Sequence, residues 1–127
     1  MQNKVTYEFA VIRLVPKVER EEFLNIGVIL FSKRKKYLGI KYQVDIKRIN
    51  AFSDEVDVNM VSEYLEAWKS ICEGAPQGGK IGELDLALRF RWLVASRSTI
   101  IQSSKTHPGL CHDPEKVLEE LFQLYVL

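Results

Sequence analysis

Apolar and polar positions alternate through "YEFAVIRLV", Tyr7 to Val15, so that Tyr7, Phe9, Val11 and Arg13 fall on one face and Glu8, Ala10, Ile12 and Leu14 on the other. Both faces turn apolar toward the end of the run, the pattern of an interior strand rather than an edge. Pro16 stops it, because proline donates no ladder hydrogen bond. The charged connection "KVEREEFLNIG" has room for one helical turn. "IGVILFS" and "YLGIKYQV" then flank the tip "KRKK", and two strand-like runs around a short charged tip predict a β-hairpin. Gly27 and Gly39 stand near the bounds of these runs, where a bulge or a close backbone approach is expected. The first three strands are expected to be antiparallel neighbours.

The period then lengthens. Asp45 is a suitable N-cap for a short helix, "IKRINAF", with Ile46, Ile49 and Phe52 inward. From Val58, apolar residues recur at Val61, Tyr64, Leu65, Trp68, Ile71 and Cys72, a spacing that marks an amphipathic helix. Gly74 closes it, and "GAPQGGKIG" reads as a flexible loop. Leu84–Ala95 fits both periods. Leu84, Leu86, Leu88, Phe90 and Trp92 alternate as a strand would, whereas Leu86, Ala87, Phe90, Leu93 and Val94 share a helical face. Its length and its Ala, Leu and Arg content favour the helix. "STIIQSS" is a short strand candidate. Asp113 and Pro114 open a last helix with Val117, Leu118, Leu121, Phe122 and Tyr125 toward the core. The order predicts an α+β fold, a single domain spanning 1–127, with a small, mainly antiparallel sheet and helices packed on one side.

Composition narrows the class. A chain of 127 residues fits one domain and buries roughly two-thirds of its unfolded surface. Hydrophobic content of 46% and charged content of 28% are ordinary globular values. A net charge of +1 argues against a nucleic-acid binder held by bulk electrostatics, though a local basic patch remains open. Cys72 and Cys111 form no disulfide framework, "MQNKVTYEF" lacks a signal-peptide core, and no apolar run approaches the ~20 residues needed to span a bilayer. A cytoplasmic protein with reduced thiols and no membrane partner is expected.

The segment "RSTIIQSSKTHPGLCHDPEK" collects most of the reactive side chains. His107, Cys111, His112 and Asp113 offer nitrogen, sulfur and oxygen donors, but without the paired spacings of a zinc site, and Asp113 is committed as a cap. No metal or cofactor is expected. Ser98, Ser103, Ser104 and Cys111 lack a nucleophile elbow and an acidic orienter for His107. "GAPQGGKIG" is not a phosphate-binding loop, since no strand enters it and no G-K-[ST] closes it. Lys33, Arg34, Lys35 and Lys36 at the hairpin tip, with Arg89, Arg91 and Arg97 beside Phe90 and Trp92, leave a nucleic-acid reading open. Arg13 is the sharpest anomaly. A charge in an apolar strand needs a partner, and Glu22 or Glu19 is the nearest carboxylate in sequence. A cleft joining Arg13, Glu22, Asn25, Arg97, Ser98 and His107 is the expected site.

The Arg13–Pro16 pair, Arg20 and Glu22, the "N-x-G-V" at Asn25 to Val28, "R-S" at Arg97 and Ser98, and "H-x-G" at His107 to Gly109 resemble the DUF3037 family, a bacterial group named for having no known function. The resemblance covers almost the whole chain, although "ASRST" lacks a proline associated with that segment. It implies genomic neighbourhood with HipA-like serine kinases. "NIGVILFSKRKKYLGIKYQVDIKRI" followed by "RSTIIQSS" and "DPEKVLEELF" is also similar in order to the small N-terminal subdomain of those kinases. The resemblance implies a non-catalytic binding or regulatory module, with a protein partner that is a HipA-like kinase. The alternatives are a nucleic-acid-binding protein using Lys33–Lys36 with Arg89, Arg91 and Trp92, and an enzyme with a cleft around Arg13, Arg97 and His107.

Overall fold

The structure is a computed structural model and describes residues 3–127. Strand β1 (Val5–Leu14) runs through the middle of a five-stranded antiparallel sheet. On one flank it pairs with β2 (Leu24–Ser32), which pairs with β3 (Tyr37–Tyr42) through the Lys33–Lys36 turn. Two short strands share the other flank: β4 (Ile101–Ser103) lies beside Ile12–Leu14 and β5 (His107–Cys111) beside Val5–Phe9. The "STIIQSS" strand is thus shorter than expected, and β5 was not anticipated, because Pro108 and Gly109 depress the strand signal.

Each of the four α-helices among the described residues starts at an aspartate whose carboxylate accepts backbone N–H groups that the first turn leaves unpaired. Asp45 accepts from Arg48 ahead of α1 (Ile46–Phe52), and Asp57 from Asn59 and Met60 ahead of α2 (Val58–Glu73). Asp85 accepts from Leu88 ahead of α3 (Leu86–Val94), which settles the ambiguous run as a helix. Asp113 accepts from Glu115 and Lys116 ahead of α4 (Pro114–Tyr125). Gly74 closes α2 in the left-handed region, at φ 68°.

The α+β class and the antiparallel sheet are as expected, but the helices do not all pack on one side. Ala10, Ile12, Leu14, Ile29 and Phe31 point toward α1, α2 and α3, where they meet Ile49, Leu65, Trp68, Phe90 and Leu93. Phe9, Val11, Val28 and Leu30 point the other way, into a second core with Leu118, Phe122 and Val126 of α4. The two apolar faces of β1 already required this, since an apolar face left uncovered would sit in water.

Two local features place the candidate site. Between Ile12 and Arg13 the β1–β2 register slips, pairing Ile12 with Gly27 but Arg13 with Asn25. The extra residue, Ile26, turns into the core of α1 to α3, and Asn25 is left on the α4 face with Arg13. Gly27 is required there, because a Cβ would approach Lys41 O and Tyr42 Cβ to 2.9 Å. The "GAPQGGKIG" segment is not an open loop. It forms two 3₁₀ turns, Pro76–Gly78 and Ile81–Glu83, against the C-terminal turn of α2, where a Cβ on Gly78 would reach Ser70 O at 3.0 Å. Among the described residues no helix is long and apolar enough to cross a membrane.

Candidate binding cleft at Arg13

Strand alternation sends Phe9, Val11 and Arg13 to the same face of β1. There a cavity of about 520 Å³ opens between that face, the start of β2, the β4–β5 junction and the last turn of α4. Phe9 and Val11 form its floor, Arg13 and Asn25 one end, and His107 and Tyr125 line the remainder. The rings are in contact: Phe9 and His107 have centroids 5.3 Å apart, and Phe9 and Tyr125 5.9 Å apart at 22°. Tyr125, expected to face the core, instead forms a half-exposed rim.

Arg13 does not have the carboxylate expected for it. Glu22 is taken by Arg20, whose Nε hydrogen bond and charge hold the Glu22 carboxyl below its usual range. The Arg13 guanidinium stacks instead on Phe23, 4.0 Å from the ring centroid. No carboxylate among the described residues lies within ion-pair distance of it. Its Nε and the Oδ1 of Asn25 are buried without a hydrogen-bond partner. Asn25 is oriented by its other amide atom, Nδ2, which donates to Tyr125 O at 3.3 Å.

Ser104 holds the β4–β5 junction in shape. Its N–H donates to Val11 O at 2.9 Å, its Oγ accepts from Val11 N at 2.8 Å, and its hydroxyl donates to Lys105 O at 2.9 Å. One side chain therefore replaces a missing ladder partner for a buried N–H. Ser104→Ala should destabilise the protein by about 1–3 kcal/mol, because the Val11 N–H is left unpaired in a site that stays buried. Denaturant unfolding measures this. A change below about 0.5 kcal/mol would mean that water or another group takes over the bond.

Of the expected site residues, Arg13, Asn25 and His107 meet in this cleft. Glu22 lines a separate, polar surface cavity of about 390 Å³ with Lys17, Arg20 and Glu55. Arg97 lies on the opposite side of the sheet, with the helices α2 and α3. It donates to Leu93 O at 2.6 Å and to Trp92 O, capping the carbonyl end of α3, and stacks on Trp92 at 4.5 Å. Ser98 follows it in an exposed bend. Arg13, Arg97 and His107 therefore share no single pocket. Phe9, Phe23, Ser104 and Tyr125 were not foreseen as site residues. Phe23 alone left a trace in the sequence, as an aromatic set among charges in "EREEFLN".

The other candidates are dispersed. Lys33, Arg34, Lys35 and Lys36 crown the β2–β3 hairpin and are all exposed, and Lys36 takes a positive φ of 52° to close the turn. Arg91 is ion-paired with Glu8. Arg89 donates to Ile71 O and Cys72 O at 3.0 and 3.1 Å, capping α2. Burial pushes the Cys72 thiol up to about 12 and raises the Cys111 thiol as well, so both are poor nucleophiles near neutral pH. No group of three His, Cys, Asp or Glu side chains able to hold a metal ion occurs among the described residues.

No curated protein and no solved structure matches the chain significantly. The DUF3037 family, described as a protein of unknown function, matches residues 9–126. That span runs from the Phe9 floor of the cleft through the last turn of α4, and the chain belongs to the DUF3037 family.

Proposed function

We propose that the chain is a non-catalytic binding and regulatory module whose recognition surface is the Arg13 cleft, and that its partner is a HipA-like kinase, as the family resemblance implies. The observation that carries the reading is Arg13 itself, a half-buried cation in an aromatic-walled groove with no carboxylate among the described residues to neutralise it. A charge in such a place is costly unless something binds it, whereas the guanidinium groups of Arg89 and Arg97 donate to backbone carbonyls at helix ends. The reactive inventory points the same way. Both thiols are buried, Ser104 is committed to the backbone, and Ser98 is not among the residues lining the cavity with His107.

Co-purification of the chain with the kinase from its native operon, followed by a phosphorylation assay with and without the chain, tests the proposal. A complex that alters phosphorylation, and that weakens about tenfold or more when Phe23 is replaced by serine, is the expected result. Phe23 is 44% exposed, so this change should leave the fold intact. Absence of a complex together with unchanged phosphorylation would sink the proposal.

A further inference from the structure

We infer that the Arg13 cleft selects a carboxylate carried on an aromatic or branched apolar body, and that it disfavours a phosphate. The inference rests on the cleft being a recognition site and adds what it recognises. Among the described residues Arg13 is the one Lys or Arg lining the cavity, so the site supplies a single permanent positive charge. A dianion would be only half neutralised. The helix that borders the cavity is α4, through its last residue, Tyr125, so the end presented there carries carbonyls and no row of free N–H groups. Both features weigh more heavily against a dianion than against a monoanion.

The form of the anion follows from Arg13. The guanidinium rests over the Phe23 ring, 4.0 Å from its centroid, and its Nε is buried with no partner among the described residues. A guanidinium held flat in this way presents two parallel N–H donors, which match the two oxygens of a carboxylate. The rest of the cavity defines the body of the ligand. Phe9 lies four residues from Arg13 along β1, roughly 13 Å of strand, and carries His107 and Tyr125 against its ring. An acid group at Arg13 with a ring or branched chain a few bonds away would cover that aromatic surface. Two sources share this chemistry, a free aryl- or alkyl-carboxylic acid and the terminal carboxylate of a peptide that ends in an apolar residue.

Titration of the ¹⁵N-labelled chain by NMR separates these cases, with the Arg13 Nε–H resonance as the reporter. The probes are 4-phenylbutyrate, its neutral amide, 4-phenylbutyl phosphate, and a tetrapeptide ending in phenylalanine with a free carboxylate. The expected result is saturable movement of the Arg13 signal with 4-phenylbutyrate or the tetrapeptide, whichever binds more tightly naming the source. The amide and the phosphate should bind about tenfold more weakly or not at all. Arg13→Gln should remove the difference between acid and amide, and its thermal unfolding shows whether the fold survives. Equal binding of acid and amide, tighter binding of the phosphate, or no movement of Arg13 with any probe would each overturn the inference. Carboxylate selectivity without any effect of the cleft on the kinase would leave the inference standing and remove the proposed partner. A cleft-dependent kinase complex with no carboxylate selectivity would do the reverse.

Discussion

Phe90→Ala is expected to cost about 3–5 kcal/mol of unfolding free energy, the range for deleting a fully buried aromatic from a core that cannot collapse around the gap. The Phe90 side chain is fully buried, and its ring stacks on Phe31 of β2 with centroids 5.3 Å apart and planes at 25°. It joins α3 to the sheet, and Leu93 is the only other buried residue of that helix. Domains of this size are stable by only about 5–15 kcal/mol, so the variant should lie close to the threshold of folding and melt roughly 10–20 °C lower. The comparison that gives the experiment its force is Leu88→Ala. Leu88 is 53% exposed, and its truncation should change stability by no more than about 0.5 kcal/mol. A strand over the same residues would put Leu88 and Phe90 on one face, and the two truncations would then cost similar amounts. Similar costs in urea unfolding would therefore refute the helical placement of Phe90.

That comparison also locates where sequence patterning gave out. Over Leu84–Ala95 both periods fit, and what decides between them is Asp85, whose carboxylate accepts from Leu88 N and starts the helix. Asp45 and Asp113 were readable as caps because an unambiguous apolar run follows each. Asp57 and Asp85 do the same work but were hidden, one in the charged stretch "SDEVD" and the other before an ambiguous run. The two-sided sheet was legible in β1, whose apolar residues occupy both faces, yet helices on one side are the commoner arrangement for a small antiparallel sheet. β5 was not legible. It is held by its ladder with Val5–Phe9, a non-local pairing that overrides the weak strand preference of Pro108 and Gly109.

The cleft was half legible for a related reason. Arg13 stood out because one charge interrupted an apolar alternation, and its need for compensation follows from burial alone. What compensates it depends on the register slip at Ile12/Arg13 and on the path of the chain from Arg20 to Phe23, neither of which has a local signature. Arg97 and His107 are ten positions apart in sequence, but β4 and β5 share one edge while the Arg97 side chain is drawn back over α3. Proximity along the chain therefore misassigned Arg97, and strand pairing brought in Phe9, Ser104 and Tyr125, which no motif marks.

Stability should also fall steeply above about pH 9, and the reason lies in groups remote from the cleft. Burial pushes the Cys72 thiol up from 9.0 to about 12, with Glu73 adding to the shift and Arg89 opposing it. Burial likewise pushes Tyr37 up from 10.0 to about 12, reinforced by Glu115, by Cys72 and by Asp113. Between these limits the unfolded chain releases protons that the folded chain keeps. The unfolded state is then favoured progressively as pH rises, so the loss begins near pH 9 with Cys72, gains the Tyr37 contribution from pH 10, and levels off near pH 12. For Cys72 alone the loss is at most roughly 4 kcal/mol across the window, and both groups are at full stabilising effect below pH 9. Urea unfolding from pH 7.5 to pH 11 measures the slope, and Cys72→Ala assigns it. The variant should lose stability near neutral pH from the missing sulfur contacts but show a shallower decline above pH 9, with the part of the Tyr37 contribution that comes from burial left in place. The native thiol should meanwhile resist iodoacetamide at pH 8 and react on unfolding. A decline equally steep in Cys72→Ala would assign the alkaline loss to other groups, and rapid alkylation of the native Cys72 would show that the packing of α2 against the sheet opens far more readily than its burial implies.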